Sequence, residues 1–272
     1  MTGNNQEYVQ KCLEFSERLQ AEGKPKELAV LFQELQKPSA YPKPHLLYVK
    51  EKFQLDDILY FLFLCAFLYE TDTTLSSYVY KKTKASFLSL GILLSWYSEL
   101  YPLPVNAAAV CMAFLNENIL FQRIEETYLM MTPVRLQAYV LYYLSSGCLP
   151  QHKAFRYVEV SQQTFASIYK EQLTELLKNI TLNKSCILAA EAHAGKRTLA
   201  LQCAKSLEEP VFLLSGIAWK QADVKERFHI LNCIAFFIRL QDGGIVYLDT
   251  KEELLREEIS YLEYFFNCFN IP

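Results

Sequence analysis

The chain has 272 residues, with 27 Lys and Arg against 30 Asp and Glu and a net charge of -3, so its charge balance does not draw it to a phosphate backbone. Hydrophobic residues make up 51%, charged residues 21% and aromatics 14%, and only 8 residues are glycine, which excludes extended disorder, collagen-like repeats and a turn-dense all-β chain. At about 100 to 200 residues per domain, the length fits two domains with room for part of a third.

In chain order, Val9, Cys12, Leu13, Ser16 and Leu19 keep helical spacing, and Leu28, Leu31, Phe32 and Leu35 repeat it after Gly23 and Pro25. Past Pro38, Pro42 and Pro44, a helix is predicted from His45, then an apolar one over 56–69, then one over 86–100 that stops at Pro102 and Pro104. The apolar run at 58–69 is far short of the roughly 20 residues of a membrane span and is flanked by Asp56, Asp57 and Glu70, so it reads as a buried helix. Residues 1–100 form the predicted helical N-terminal region.

Residues 101–150 differ. A helix near 105–116 is followed by ILFQR, a polar turn and TYLMMT, which read as a hairpin, and then by a helix over 133–146. Helices, hairpin and helix in this order predict a winged-helix-like element, with a plain helical domain carrying one hairpin as the competing reading. DNA reading by such an element needs basic residues on its recognition helix, and residues 134–144 offer only Arg135.

After Gly147 and Pro150, residues 151–183 read as a helical linker with a polar helix over 161–178. Residues 184–272 then alternate: strand 186–190, loop, helix 199–207, strand 211–215, a long helix striped by Val224, Phe228, Leu231, Ala235 and Ile238, strand 245–248 ending at Asp249, and a last helix with Leu255, Ile259, Leu262 and Phe266. This alternation predicts a parallel α/β sheet. Eight scattered cysteines without a C-x-x-C pair, behind a polar N-terminus, read as buried hydrophobes in a reducing cytoplasm.

A phosphate-binding loop is a strand, a turn of pattern G-x-x-x-x-G-K-[ST], and a helix whose N-terminus faces the phosphates. Here Gly195 and Lys196 match, Ala190 replaces the first glycine, and Arg197 takes the hydroxyl position, with Thr198 one residue late. One residue along a helix turns a side chain by about 100°, so Thr198 is not a simple substitute. Downstream, four apolar residues and Asp249 have the pattern of a Walker B strand whose carboxylate organises Mg²⁺. Thr250 stands where hydrolysing ATPases usually carry Glu, and Glu252 and Glu253 lie further on. Two simpler readings compete: an ordinary strand-to-helix turn at Gly195, and Asp249 as N-cap of a helix starting at Lys251. Glu191 would repel a polyphosphate unless it points away or pairs with Arg197, and His193 is read as an incidental loop residue. The isolated His45, His152 and His229 show no zinc spacing, and Lys81, Lys82 and Lys84 read as a solvated helix end.

With these motifs in order, the chain resembles the AAA-type P-loop ATPases, in particular large bacterial ones with a helical and winged-helix-like N-terminal region and two ATPase modules. FQLDDILYFLFLCAFLYETD is similar to the helix before their winged-helix region, TPVRLQAYVLYYLSSG to the segment closing it, and HAGKRTLALQCAKSL to their first, often degenerate, phosphate loop. The resemblance implies that the amides of Ala194 and Gly195 cradle phosphates and that Lys196 reaches the β- and γ-phosphates. It counts Arg197 and Thr198 among the nucleotide-binding residues and puts Asp249 on Mg²⁺. It implies ATP or ADP as ligand, weak or no hydrolysis in this module, a second module beyond the chain, assembly as a homo-oligomeric ring, and remodelling of a protein partner held by the N-terminal region. Proteins of this kind are often encoded beside contractile injection systems. The sheet reads as an incomplete AAA-type module, and the apolar end YFFNCFN as a partner interface or a cut core. A non-catalytic adaptor with a vestigial phosphate loop is the alternative function, and a winged-helix DNA regulator a more distant one; no membrane segment is predicted.

Overall fold

In the computed structural model, which describes residues 3–21, 25–37, 42–123, 128–149, 152–160, 170–181, 186, 188, 194–249, 260–262 and 265, the chain divides into two units, Met1–Pro150 and Gln151–Pro272. It is mainly helical with a small mixed sheet.

The first unit contains α1 (Gly3–Gln20), α2 (Pro25–Leu35), α3 (His45–Lys52), α4 (Asp57–Thr71), α5 (Thr73–Thr83), α6 (Leu90–Leu100), α7 (Ala107–Glu117) and α8 (Ala138–Ser146). Every residue of α4 from Ile58 to Leu68 is buried, so this helix has no polar stripe and needs neighbours on all sides. They are α1, α5 and α6. The Phe61 ring meets Phe15 at 6.2 Å, Phe32 at 5.4 Å and Tyr97 at 5.3 Å, mostly edge to face, the geometry aromatic quadrupoles favour. Two buried phenols, Tyr8 and Tyr60, share a 2.6 Å hydrogen bond, and Tyr8 Oη also donates to the Leu35 carbonyl. Burial pushes both phenols well above the ordinary tyrosine pKa. The carboxylate of Asp56 accepts the Leu59 N–H and starts α4; that of Asp72 accepts the Thr74 N–H and starts α5. Among the described residues no single helix is long and apolar enough to cross a membrane, and α4 and α5 reach that length only as a pair bent by 101°.

Three expectations need correction in this unit. The helix predicted over 86–100 begins at Leu90, because the Ser89 hydroxyl caps it through the Ile92 N–H; of α5 the sequence reading has only the basic end at Lys81, Lys82 and Lys84. The hairpin predicted over 119–132 is not formed as such: residues 124–127 lie outside the described residues, and Leu129–Met131 is a single 3₁₀ turn. The returning extended segment is 132–137, which the reading assigned to a helix. The Leu90 N–H donates to the Thr132 carbonyl and the Val134 N–H to the Leu88 carbonyl. On its other side the Gln122 N–H donates to the Arg135 carbonyl and the Gln137 N–H to the Leu120 carbonyl. Thr132, Val134 and Leu136 are buried while Pro133, Arg135 and Gln137 are half-buried, the period of two that marks a strand-like segment. The helix predicted from Pro133 therefore starts at Ala138.

The second unit holds β1 (Phe155–Val158), α9 (Lys170–Thr181), α10 (Lys196–Ser206), β2 (Val211–Ser215), α11 (Gly216–Gln221), α12 (Val224–Gln241) and β3 (Ile245–Asp249). The strands lie in the order β1-β2-β3, with β1 antiparallel to β2 and β2 parallel to β3. The sheet is thus mixed rather than all parallel, and its antiparallel strand comes from the segment read as a helical linker. Of the predicted strand 186–190, Cys186 and Leu188 stand in no regular element and the other residues lie outside the described residues. The same holds for 161–169 of the predicted linker helix and for most of the predicted last helix, where Phe265 is buried with its ring 5.7 Å from Phe228.

One face of the sheet carries Val158, Val211, Leu213, Ile245 and Tyr247 and packs on Leu201 and Ala204 of α10. Behind α10, its Leu199 and Cys203 pack on Leu176 of α9. The opposite face gathers Phe155, Tyr157 and Phe212 and meets α12, where Gln241 Nε2 donates to Tyr157 Oη at 3.1 Å. Gly244, at φ +156°, sits between Phe212 and Ile238, where a Cβ would come within 3.0 and 3.2 Å of their side chains. Helices on both faces shield a sheet whose central strand is apolar on both sides, as VFLLS requires.

Candidate functional site

The N-terminus of α10 is where the sequence motif meets the sheet. Gly195 precedes the helix in the left-handed conformation, φ 80°, which costs glycine nothing and an L side chain about 1 kcal/mol or more. The first helical bond runs from the Leu199 N–H to the Gly195 carbonyl at 2.9 Å, so the amides of Lys196, Arg197 and Thr198 all precede it. No side chain of the capping residue covers them. Ala194, Gly195, Lys196 and Thr198 are half-buried and Arg197 is exposed, whereas Leu199 to Ala204 are buried.

The direction of α10 follows from its ends. The Glu209 N–H bonds to the Ala204 carbonyl and turns the chain into β2, so the C-terminal end of α10 lies beside the start of β2. Eleven helical residues span about 16 Å and five strand residues a similar length. The N-terminus of α10 is therefore level with the carboxyl ends of β2 and β3, the rim where ligands bind in parallel α/β sheets. Asp249 is the last residue of β3, is exposed, and shares a face with Ile245 and Tyr247, the face against α10.

Tyr247 joins these groups. Burial pushes its phenol pKa up, the Asp249 carboxylate pushes it further in the same direction, and the Arg197 guanidinium pulls it down. One phenol thus senses both the basic residue of the loop and the acidic residue of the strand end. Sequence reading missed Tyr247. Its signal was present as the residue two before Asp249, which strand alternation puts on the same face. Ser215, paired in register with Asp249, was missed as well; its hydroxyl accepts the Ala218 N–H and starts α11.

A phosphate fits this arrangement: a glycine in the left-handed region, amides at a helix start, and the cations Lys196 and Arg197 on consecutive residues. A magnesium ion finds one described carboxylate, Asp249, and no hydroxyl at the position of Arg197. That matches the usual habit of Mg²⁺, which takes one or two carboxylates and completes its shell with phosphate oxygens and water. Among the described residues, no group of three or more His, Cys, Asp or Glu is arranged to hold a metal ion. Ala190, Glu191, His193, Thr250, Glu252, Glu253 and the predicted start of a helix at Lys251 lie outside the described residues.

The other singled-out residues have structural settings. His45 Nδ1 lies 3.1 Å from the Leu144 carbonyl oxygen, its ring against Tyr143. The Lys82 ammonium sits over the Tyr78 ring at 5.5 Å. Arg135, read as the one basic residue of a recognition helix, lies in the extended segment 132–137, and α7 carries no basic residue at all. The chain matches no protein-family model, no curated protein and no solved structure.

Proposed function

We propose that the second unit is a nucleotide-binding module of AAA-type P-loop lineage, holding ATP or ADP at the N-terminus of α10 with weak or no hydrolysis. The observation that carries this reading is the placement of Gly195, Lys196 and Arg197 at the carboxyl rim of the parallel pair β2–β3, with Asp249 on the same face. Lys196 would meet the terminal phosphates and the first amides of α10 the bridging oxygens. Asp249 would face the metal of a Mg²⁺–nucleotide. Arg197 supplies a fixed positive charge where the family pattern has a hydroxyl, and Thr250 offers no carboxylate to orient a water, which argues for retention over turnover.

In the first unit, the crossing of 132–137 between 88–90 and 120–122, with α6 and α7 between the first two of these segments in sequence, supports a winged-helix-like element. The apolar composition of α7 directs it toward protein rather than DNA. In this reading the chain is part of a ring-forming ATPase that remodels or assembles a protein partner. A second reading, a non-catalytic adaptor with a vestigial phosphate loop, is favoured by the exposed Tyr128, Leu129, Met130 and Met131, apolar surface suited to a protein.

Calorimetric titration of the whole chain with ATP and ADP, with and without Mg²⁺, separates the two. The nucleotide reading expects micromolar binding that weakens at least tenfold in Lys196→Ala, the loss of about 1.4 kcal/mol or more. It also expects Asp249→Asn to reduce only the Mg²⁺-dependent part. Absence of binding, or equal affinity in Lys196→Ala, overturns it in favour of the adaptor.

A further inference from the structure

We propose that His152 is an acid-sensitive latch that fastens the start of β1 to the sheet at neutral pH and releases it when the imidazole takes up a proton. The inference rests on the hydrogen bonding around one turn and is independent of whether nucleotide binds.

The Ala154 N–H donates to His152 Nδ1 at 3.1 Å. An imidazole nitrogen accepts only while it carries no proton, so the neutral ring must hold its proton on Nε2. The imidazolium has N–H on both nitrogens, and its Nδ1–H would point at the Ala154 N–H. Protonation therefore breaks this bond and sets two donors against each other. The ring also stacks on Phe155 at 5.3 Å and 14° and bridges to that residue across the turn, so its displacement disturbs the first residue of β1. The next link is the Ser215 N–H, which donates to the Ala154 carbonyl at 2.8 Å and ties the turn to the end of β2, in register with Asp249.

The groups facing His152 do not welcome a positive charge. From α12 come His229, with ring centroids 6.2 Å apart, and Glu226; from its own turn comes Lys153. The Glu226 carboxylate, the one compensating charge among the described residues, is already paired with the Lys153 ammonium at 2.8 Å. Burial, then His229, holds the His152 pKa below the ordinary histidine value despite Glu226, and burial holds His229 below it as well. A depressed histidine pKa means that the stabilisation is complete above about pH 6.5 and is lost as pH falls through the native value.

The test uses the whole chain. Hydrogen exchange of the peptide spanning 152–160, corrected for intrinsic chemistry, is compared at pH 7.5 and 5.5. Protection is expected to fall roughly fivefold on acidification, the worth of one hydrogen bond. His152→Asn puts an amide oxygen where Nδ1 stood, accepting the N–H two residues on as an Asx turn does, and is expected to keep its protection at both pH values. A wild type without the acid loss, or an identical loss in His152→Asn, overturns the latch. Should the variant misfold, the ¹⁵N shifts of the wild-type ring decide: an Nε2–H tautomer at pH 7.5 supports the latch, and an Nδ1–H tautomer overturns it.

Discussion

Asp72 serves two helices at once. It follows the last residue of α4 and caps α5. One carboxylate oxygen takes the Thr74 N–H at 2.9 Å and the Thr74 hydroxyl at 2.7 Å, and the other takes the hydroxyl of the fully buried Ser16 in α1 at 2.7 Å. Burial pushes its pKa up, but these hydrogen bonds outweigh it and hold the carboxyl below the ordinary aspartate value. A depressed carboxylate pKa stabilises the fold above about pH 4, and that contribution disappears as pH falls through the native value. Asp72→Ala is expected to cost about 1 to 2 kcal/mol at pH 7, with the difference shrinking toward pH 3, as read by urea unfolding at both pH values. The site also has a residue-scale lesson. The helix start at Lys196 and the strand end at Asp249 were legible because each follows a local pattern of the sequence. Ser215 was not, because its place depends on the pairing of β2 with β3, whereas Tyr247 needed strand alternation counted back from Asp249.

At the scale of elements, segment 132–137 shows how one short pattern supports two readings. T-P-V-R-L-Q precedes a true helix, and Val134 with Ala138 fits a helical spacing as well as Val134 with Leu136 fits a strand. Tertiary hydrogen bonds from both sides decided it. The alternation predicts unequal costs: Leu136→Ala, fully buried, should destabilise by about 2 to 5 kcal/mol, whereas half-buried Arg135→Ala should stay within about 0.5 kcal/mol. Equal costs in denaturant titration would contradict the extended assignment. Long, strongly patterned elements were the readable ones: the buried helix at 56–69 is α4, and the strands at 211–215 and 245–248 are β2 and β3. Phe155 to Val158 escaped because F-R-Y-V is a four-residue strand whose partner, β2, lies more than fifty residues away.

Across the whole molecule, burial sorts the thiols. Among the described residues Cys12, Cys65, Cys111, Cys203 and Cys233 are buried, and Cys148 and Cys186 are exposed. Burial raises every one of the five buried thiols, Cys111 and Cys203 to about 11 and Cys233 to about 12, so almost no thiolate exists at pH 8. Site-resolved alkylation of the native chain at that pH should label Cys148 and Cys186 rapidly and reach the five only in denaturant. Fast native labelling of Cys12 or Cys65 would show that the core around α4 opens.

The helix α4 has a consequence for synthesis. Its sequence leaves the ribosome after α1 and α2 but before α5 and α6, and a helix that is greasy on every side cannot settle until the later pair arrives to close around it. A chain that ends between residues 72 and 90 presents that surface to whatever is nearby. The interval is when a holding chaperone matters most for this protein, and a chain cut there should aggregate where one ending at residue 150 does not.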